Sequence, residues 1–531
     1  MNTTTRRHAD PGTSRLPLWA AVATGLIAVA AASAAGHLVA AVVDPLASPF
    51  LAVGNTAIDL TPHPVKDFAI RTFGEDDKAV LLAGMAFVIA VAAALAGLLS
   101  RRSPLPGTIL AVGLGVVGLA AVLARPTLGT AAALAPLVSL LVGVLVFRWL
   151  HRLAPRSAEA AVDGEGTRPV DWQVPGLGRR RFLLTSTAVA AAAGATAAAG
   201  QLIGGRVDVE ASRRSIRLTP DVSAPPIPAG ADFARDGTPA FITPNADFYR
   251  VDTALSVPRV RARDWRVRVH GMVDRELVLT YDDLLDRPLV EKTISLCCVS
   301  NEVGGPYIST ADFIGVSLSD ILAEAGVRPG SDQLATRSVD GWTCGTPVED
   351  IMRPGSNALL AIGMNGEPLP VEHGFPVRMV VPGLYGFVSA TKWLVDAELT
   401  TFADFDAYWV RRDWARRAPI KTMSRVDRPK AFEQVPAGRF VAAGVAWAQH
   451  RGVDKVEVRV DGGPWQATTL STEVDVDTWR MWRVELDLPA GSHTLEVRAT
   501  DRTGHTQTGE RAEPIPDGAS GWHTIVFTTR P

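Results

Sequence analysis

The sequence contains few of the residues that build common metal and disulfide frameworks. Only three cysteines and ten histidines occur among its 531 residues. No CxxC or CxxCH motif is present, which argues against a zinc ribbon or a c-type haem, and so few cysteines do not make a disulfide framework. The histidines form no HxxxH pair, which argues against a zinc-protease helix. A net charge of −2 gives no indication of a nucleic-acid partner.

The chain is too long for one hydrophobic core, and roughly three units are expected. Its composition is uneven along its length. The part before about residue 204 is rich in Ala, Val, Leu and Gly, whereas the remainder has the mixed charge, Trp and Pro content of a soluble protein.

Five apolar runs in the first part approach or exceed the length of about 20 residues that crosses a bilayer. They are Leu18–Val43, Ala79–Leu99, Thr108–Leu123, Ala131–Leu150 and Phe182–Ile203. Arginines flank alternate ends of these runs, at Arg6, Arg7, Arg15, Arg101, Arg102, Arg148, Arg152, Arg156, Arg168 and Arg179 to Arg181. Cytoplasmic arginines place the N-terminus inside and everything after about residue 204 outside. Losing one span, of which the third is the shortest, would reverse that orientation.

The segment Arg179-Arg-Arg-Phe-Leu-Leu184 opens the fifth run. It resembles a twin-arginine export motif followed by a weakly apolar stretch. The alternative is an anchor of positive charge on the cytoplasmic side, and the sequence leaves both open. Since no small-residue cleavage site is compelling, we expect the following domain to stay tethered to the membrane.

Two histidines in the apolar part, His37 and His151, could in principle hold a haem between helices. They are poorly matched in depth, so we expect polar packing or interfacial roles instead.

The stretch Ser295-Leu-Cys-Cys-Val-Ser-Asn-Glu-Val-Gly-Gly305 follows a β-like run, Val290–Leu296. It predicts a strand that enters a tight loop. Neighbouring residues in an extended segment point to opposite faces, so one cysteine can pack while the other faces a cavity. We interpret Cys298 as a thiolate ligand to a metal. The alternative is that Cys297 and Cys298 are both small buried hydrophobic residues.

Local signals predict several elements around this stretch. Residues Trp265–Val269 alternate as a half-buried strand does. One short capped helix is predicted to start at Thr280, and a second is predicted over Ser317–Ala325. The pair Asn365-Gly366 between two apolar runs predicts a β-hairpin.

Two motifs together resemble one family. Ser295-Leu-Cys-Cys-Val-Ser-Asn301 is similar to the cysteine region of the sulfite oxidase family of molybdopterin enzymes. Met364-Asn-Gly-Glu-Pro-Leu-Pro-Val-Glu-His-Gly-Phe-Pro-Val-Arg-Met-Val-Val-Pro-Gly383 resembles the second signature of that family, and Ala390-Thr-Lys-Trp-Leu394 continues it. The resemblance covers roughly residues 240–525 and implies a molybdenum-molybdopterin cofactor.

The resemblance also implies the residues that hold this cofactor. In the family, molybdenum is bound by two pterin sulfurs, by oxo or water ligands and by one protein thiolate, and the motif assigns that thiolate to Cys298. A soft sulfur donor suits such a ligand set. Arg378 and Lys392 match positions that anchor the pterin phosphate. His373 matches a cofactor contact, and Asn245 is a weaker candidate for a contact with the pterin.

The pattern departs from sulfite oxidases where substrate binds. Glu302 and Val303 stand where arginines follow the family's Cys-x-x-Asn motif, and Trp342 is the candidate replacement for a pocket tyrosine. A carboxylate at Glu302 would repel sulfite. We therefore expect oxygen-atom transfer on a small-molecule substrate other than sulfite. No cytochrome-like haem domain is recognised, so an unidentified electron-transfer partner is expected. No catalytic residue is assigned, and Cys344 has no derived role.

Strand-like runs separated by turns fill the last part of the chain, at Val441–Trp447, Val453–Val460, Met481–Leu488 and Ser492–Thr500. Their spacing predicts an immunoglobulin-like β-sandwich. The corresponding domain of the family usually mediates dimerisation, which would make the protein a homodimer. A monomeric sandwich packed on its own catalytic domain is the alternative.

The predicted architecture is multi-domain. It has an N-terminal transmembrane helical bundle (1–204), a linker arm (205–240), an α+β molybdopterin-binding domain (241–415) and a C-terminal immunoglobulin-like β-sandwich (416–531). The competing hypothesis is a cofactor-free, membrane-anchored β-rich binding protein that has kept the fold.

Overall fold

A computed structural model describes residues 15–62, 65, 68, 72–73, 76–125, 128–155, 175–204 and 208–531. The chain divides into two compact units. The first takes the described part of Met1–Val207 together with Ala254–Ser256, and the second takes Asp208–Thr253 together with Val257–Pro531. The flanking arginines Arg6, Arg7, Arg156 and Arg168 lie outside the described residues.

The first unit is helical. Its α-helices of ten or more residues are α1 (Leu18–Val43), α2 (Pro49–Leu60), α3 (Asp77–Leu99), α4 (Leu105–Leu123), α5 (Leu134–Leu153) and α6 (Pro175–Gly204). All but α2 are long and apolar enough to cross a membrane. They coincide with the five predicted runs to within a few residues. The short third run gains length as α4, which extends to 19 residues.

Small residues let helices α1 and α3 approach each other closely. A Cβ added at Gly25 would lie 2.1 Å from the carbonyl oxygen of Ala93, and one at Gly97 would lie 2.2 Å from that of Ala21. Only glycine permits backbones to pack at this separation, as is common between membrane helices.

Of the histidines of this unit, His37 and His151 are described, and they do not meet. His151 lies at the end of α5 and its Nε2 is 2.8 Å from the carbonyl oxygen of Ser100. Its neighbour Leu150 shares a buried cluster with Ala20, which is near the start of α1. His151 therefore lies near the start of α1. His37 lies towards the opposite end of α1, beside Gly200. A haem held by both side chains is therefore not supported, and His151 has the polar packing role expected for it.

The second unit begins with a segment that packs more than a free linker would. Residues Val209–Arg214 form helix α7, which the sequence did not predict. The Arg213 guanidinium donates to the carbonyl oxygen of Leu369 at 2.9 Å. Further on, Ala231 and Phe233 are buried. From Asp208 onward the chain thus belongs to the compact second unit, and the domain boundaries given above stay predictions.

Two sheets build the α+β part of this unit. Its strands are β1 (Arg266–Gly271), β2 (Leu277–Thr280), β3 (Val290–Cys297), β4 (Ile308–Ser317), β5 (Gln333–Ser338), β6 (Thr343–Pro347), β7 (Leu359–Met364), β8 (Glu367–Pro368), β9 (Arg378–Val380) and β10 (Leu394–Thr400). One sheet has the order β2-β1-β10-β5-β6, and the other has β3-β4-β7-β8 with β9 also paired to β7. The β1–β10 pair is parallel, whereas β3 and β4 are antiparallel and bring Cys297 opposite Ile308.

The short helices of this part are α8 (Tyr281–Leu285), α9 (Leu318–Ala325) and α10 (Val348–Met352). Thr280 and Asp283 form a capping box at α8, and Ser317 accepts a hydrogen bond from the backbone of Asp320 at α9. These caps satisfy backbone N–H groups that have no partner within the helix. Both predicted helix starts are confirmed.

The predicted hairpin joins β7 to β8. Asn365 and Gly366 occupy its turn with φ angles of 52° and 77°. Positive φ at both turn residues is the geometry that Asn-Gly favours. The Asn365 side chain donates to the carbonyl oxygen of Thr243 at 2.9 Å, so the turn also holds the segment that leads to the site.

The C-terminal part is a two-sheet β-sandwich. Its strands are β11 (Met423–Arg428), β12 (Gln434–Pro436), β13 (Gly438–Trp447), β14 (Val453–Val460), β15 (Gln466–Ala467), β16 (Thr469–Leu470), β17 (Arg480–Leu488), β18 (Gly491–Asp501) and β19 (His523–Arg530). The sheet orders are β11-β13-β17-β16 and β12-β19-β18-β14-β15. Side chains of both sheets, among them Trp482 and Phe527, share one core. The four predicted strands are present as β13, β14, β17 and β18.

Candidate functional site

The cysteine stretch forms a loop closed by its own hydrogen bonds. The backbone N–H of Cys298 donates to the carbonyl oxygen of Tyr307 at 3.0 Å, and that of Asn301 donates to the carbonyl oxygen of Cys298 at 3.1 Å. The Asn301 side chain accepts from the backbone of Tyr307 at 2.8 Å. Asn301 therefore shapes the loop that carries Cys298.

The two cysteines have different surroundings. Cys297, the last residue of β3, is 2% exposed, whereas Cys298 is half-buried. The Cys298 sulfur lies 2.9 Å from the hydroxyl of Ser300. Burial raises the pKa of the Cys298 thiol, while hydrogen bonds from Ser300 and the charge of Lys392 oppose that rise. Cys297 is thus the packed cysteine of the pair and Cys298 the less buried one, and the metal-ligand role of Cys298 stays a prediction.

Arg378, the first residue of β9, is a deeply buried cation. It is 3% exposed, and its Nη1 donates to the carbonyl oxygen of His373 at 3.2 Å. Its Nε has no hydrogen-bond partner within the part of the chain that the structure describes. Burial lowers its pKa to about 10. A buried guanidinium with an unused N–H is suited to an anionic ligand.

Lys392 lies two residues before β10, and its side chain is 10% exposed. Its ammonium donates to Asp252 at 3.0 Å and to the carbonyl oxygen of Glu372 at 3.1 Å. Burial lowers its pKa to about 8. The negative charge of Asp252 raises this pKa, and the positive charge of Arg378 lowers it further. Because an ammonium has three N–H donors, one remains for a ligand.

His373 closes a short 3₁₀ turn and is 5% exposed. Its Nε2 lies 3.1 Å from the backbone carbonyl oxygen of Asn245, which can only accept, so the hydrogen-bond network assigns the proton to Nε2. Its Nδ1 is then a buried acceptor without a partner among the described residues. Burial and the charges of Arg378 and Lys392 lower the pKa of His373 to about 3. His373 is therefore neutral and offers an acceptor.

Tyr249 lies near both the thiol and Arg378, a placement that the sequence did not reveal. Burial, then the charges of Cys298 and Cys297, raises the pKa of its phenol well above the usual range, and Arg378 opposes that rise. Its ring packs on Phe248 with the ring centres 5.4 Å apart. Tyr249 thus lies within electrostatic reach of both the thiol and the guanidinium, and it stays protonated.

Asn245 has contacts other than the direct cofactor contact expected for it. Its side chain donates to Glu367 at 2.6 Å and accepts from Asn365 at 2.8 Å. Its backbone carbonyl oxygen fixes the ring of His373. The structure therefore brings Asn245 to the site as a residue that orients His373.

Glu302, Trp342 and Cys344, which have no cofactor role assigned from the sequence, differ in their exposure. Glu302 is exposed on the loop that follows Cys298, and Trp342 is half-buried in the turn between β5 and β6. Cys344 is fully buried on β6 near the hydroxyl of Thr346. Burial raises its pKa to about 11, so it is a neutral core thiol.

Comparison with known proteins identifies the class of the domain. The family model named oxidoreductase molybdopterin binding domain matches residues 254–409. The α+β part is therefore a molybdopterin-binding oxidoreductase domain, and the cofactor it implies is molybdenum-molybdopterin.

Individual relatives then identify the family. Sulfite oxidase of Gallus gallus is 30% identical over 50% of this chain and 68% of that protein. Mitochondrial sulfite oxidase of Homo sapiens is 31% identical over 55% of this chain and 63% of that protein. Inducible nitrate reductase [NADH] 2 of Glycine max is 30% identical over 55% of this chain and 39% of that protein. The chain belongs to the sulfite oxidase family of molybdopterin oxidoreductases. It spans less than two thirds of the length of the human relative.

The residues present fit the implied cofactor. A phosphate can take the unused N–H groups of Arg378 and Lys392, and an N–H group of the pterin can donate to Nδ1 of His373. The half-buried thiol of Cys298 is the soft donor that molybdenum needs. Each buried group without a partner costs about 1–3 kcal/mol, and one ligand can satisfy them together.

Proposed function

We propose that the protein is a membrane-tethered molybdenum-dependent oxidoreductase that acts outside the cytoplasmic membrane on a small molecule other than sulfite. The observation that carries this proposal is the set of buried groups without partners among the described residues, Nε of Arg378 and Nδ1 of His373. The half-buried thiol of Cys298 interacts electrostatically with the same region, through Lys392 and Tyr249. A β-rich binding protein without cofactor has no use for such groups.

Each residue has a distinct task. Cys298 supplies the thiolate to the metal, Arg378 and Lys392 bind the phosphate of the pterin, and His373 orients the pterin through its acceptor nitrogen. Tyr249 keeps its proton near the thiol and can donate it in a hydrogen bond. The bound cofactor supplies two-electron chemistry with transfer of an oxygen atom.

The charges around the thiol bear on the substrate. The buried cations Arg378 and Lys392 are used by the cofactor, and the loop after Cys298 presents the carboxylate of Glu302. A small anion at this loop is repelled at close range, although the relatives are named for sulfite oxidation and nitrate reduction. We therefore infer a neutral substrate of the sulfoxide type.

The helical unit supports membrane tethering. Five helices meet the length and apolarity of a span. Most of the described flanking arginines stand at alternate ends of them, and Arg125, which follows α4 and is paired with Asp59, is the exception. This distribution supports an inside N-terminus and an outside catalytic domain. Replacing Arg179 and Arg180 by lysine tests the export motif, because the folded domain should stay inside only if the motif is read.

The sandwich is proposed to be of immunoglobulin type, on the strength of its two sheets of four and five strands. It packs on the α+β part of the same chain, as the hydrogen bond from Gln449 to Ser295 illustrates. This packing is the arrangement that the monomeric alternative describes, and a homodimer is compatible with it. Sedimentation of the detergent-solubilised protein would distinguish the two.

Metal and pterin analysis tests the proposal. Wild type and Cys344→Ser, a control for a buried thiol away from the site, should hold molybdenum in equimolar amount with protein. Cys298→Ser should lose the metal and the activity in a screen of sulfoxides, nitrate and sulfite. Retained molybdenum and turnover in Cys298→Ser would contradict the ligand assignment.

A further inference from the structure

Backbone and side-chain groups of the β-sandwich hold the strand that leads to Cys298. Ser295 on β3 is 1% exposed, and its backbone N–H donates to the carbonyl oxygen of Asp477 at 3.0 Å. The Gln449 amide donates to the carbonyl oxygen of Ser295 at 2.6 Å. The backbone of Trp479 donates to the Ser295 hydroxyl at 2.8 Å. All three polar groups of Ser295 thus bond to the sandwich.

The same amide reaches a second part of the site. Gln449 is 2% exposed. Its Nε2 also donates to the carbonyl oxygen of Asp477 at 2.6 Å, and its Oε1 accepts from the backbone of Gly383 at 3.3 Å. The Asp477 carboxylate is fixed by Asn357 at 3.0 Å. One buried side chain therefore ties β3 to the end of the segment that carries Arg378.

The far end of the cysteine loop is held by two other residues of the sandwich. Arg425 is 7% exposed, and its Nη1 donates to the carbonyl oxygen of Gly305 at 2.8 Å. Its Nε is held by Asp427 at 2.8 Å. The ring of His523 packs against Gly304, where an added Cβ would lie 2.3 Å from it and where φ is +82°. Glycine is needed there because a side chain would displace this contact.

We propose that the β-sandwich clamps the loop from Ser295 to Gly305 and sets the position of the Cys298 thiol, with Gln449 and Arg425 as positioning residues. The inference rests on the proposed function, in which Cys298 binds molybdenum. Metal ligands depend on neighbouring groups that fix their geometry, and losing such a group typically reduces metal affinity or activity about 10–100-fold. The sandwich thereby acts on the site of its own chain, independently of any role in dimerisation.

Two variants probe the two ends of the clamp in the full-length protein. Gln449→Leu removes the donor to the carbonyl oxygen of Ser295 and the acceptor for the backbone of Gly383. Arg425→Lys keeps the charge but cannot bond Asp427 and Gly305 as a fork. The matched controls are Gln507→Leu and Arg480→Lys. Gln507 is equally buried and bonds to Ser424 and Gly521.

Arg480 is the control for the guanidinium. It donates to the carbonyl oxygens of Ser471 and Val453 at 2.9 Å each. Like Gln507, it bonds within the sandwich, and none of its described hydrogen bonds reaches the cysteine loop. General destabilisation of the sandwich should therefore appear equally in the controls.

The first measurement is hydrogen exchange in cofactor-free protein, at the amides of Cys298, Asn301 and Tyr307. Gln449→Leu and Arg425→Lys should exchange at least about tenfold faster than wild type and both controls, because opening of the loop is no longer opposed. The second is the Mo(V) electron paramagnetic resonance spectrum of the loaded enzyme. We expect altered g-values in both variants, and kcat lowered about 10–100-fold at unchanged molybdenum content.

The outcomes separate the two proposals. Wild-type exchange and spectra in both variants, or equal changes in the controls, would overturn the clamp. If wild type held no molybdenum while the exchange contrast appeared, the clamp on the loop would be supported and the molybdenum proposal would fail. The milder Arg425→Lys keeps the test valid if Gln449→Leu does not fold.

Discussion

Replacing Arg378 by methionine should stabilise the cofactor-free protein while weakening cofactor binding. The guanidinium is 3% exposed and has no carboxylate within ion-pair distance among the described residues. Burial lowers its pKa to about 10, so the folded state disfavours a charge that the unfolded chain carries at no cost. Methionine is unbranched and fills the same space without the charge.

The magnitude follows from the pKa. A fall to about 10 corresponds to roughly 3 kcal/mol against the charged folded state at neutral pH, because each tenfold change in proton affinity is worth about 1.4 kcal/mol. The variant also loses the hydrogen bond from Nη1 to the carbonyl oxygen of His373, which contributes about 1 kcal/mol. We therefore expect a net gain of about 2 kcal/mol in the free energy of unfolding.

The first assay is urea unfolding at pH 7 of full-length protein in detergent, prepared from molybdate-depleted cells. The second is the metal content of parallel preparations from molybdate-rich cells. Arg425→Met is the matched control with the opposite sign, because that guanidinium is paired with buried Asp427 at 2.8 Å. Removing one partner of such a pair typically costs about 3–5 kcal/mol. A clear loss of stability in Arg378→Met, or full molybdenum content, would refute the assignment of Arg378 to a ligand.

Three further predictions use the same preparations. Cys298→Ser should lose molybdenum, whereas Cys297→Ser should keep the metal and lose about 1–3 kcal/mol of stability because a hydroxyl replaces a buried thiol; metal analysis and thermal unfolding decide. The pKa of His373 is lowered from 6.5 to about 3, so the unfolded chain binds a proton at a higher pH than the folded protein does. The free energy of unfolding should therefore fall as the pH falls from about 6.5 to about 3. His373→Leu should flatten this dependence of the free energy of unfolding on pH, measured by urea unfolding. Gly366→Ala should cost about 1 kcal/mol, since φ is +77° at the hairpin turn, and a normal urea midpoint would contradict this.

Features that depend on a few neighbouring residues were predictable from the sequence. The caps at Thr280 and Ser317 and the hairpin at Asn365 formed as expected, because each is fixed by residues within about one turn. The division between Cys297 and Cys298 followed from the alternation of side chains along a strand. The apolar spans were found by length, although the intervening helix α2 is too short for that signal.

Features that depend on distant partners were not predictable. The proton position of His373 is set by the carbonyl oxygen of Asn245, which is 128 residues away. The contact between Arg425 and Gly305 spans 120 residues. Neither partner carries a local signal, because a backbone carbonyl oxygen is present at every residue. Asn245 was therefore singled out for a direct cofactor contact, although its side chain bonds to the hairpin.

The energetics of the site distinguish the enzyme hypothesis from a cofactor-free binding protein. Arg378 and His373 each keep a buried polar atom without a described partner, and each such atom costs about 1–3 kcal/mol. Lys392 adds a buried ammonium whose pKa is lowered to about 8. A protein that only kept the fold would gain stability from apolar replacements at Arg378 and His373, whereas Lys392 is paired with buried Asp252 at 3.0 Å. One anionic, hydrogen-bonding ligand beside the half-buried thiol would offset the costs at Arg378 and His373 together, and this favours the enzyme hypothesis.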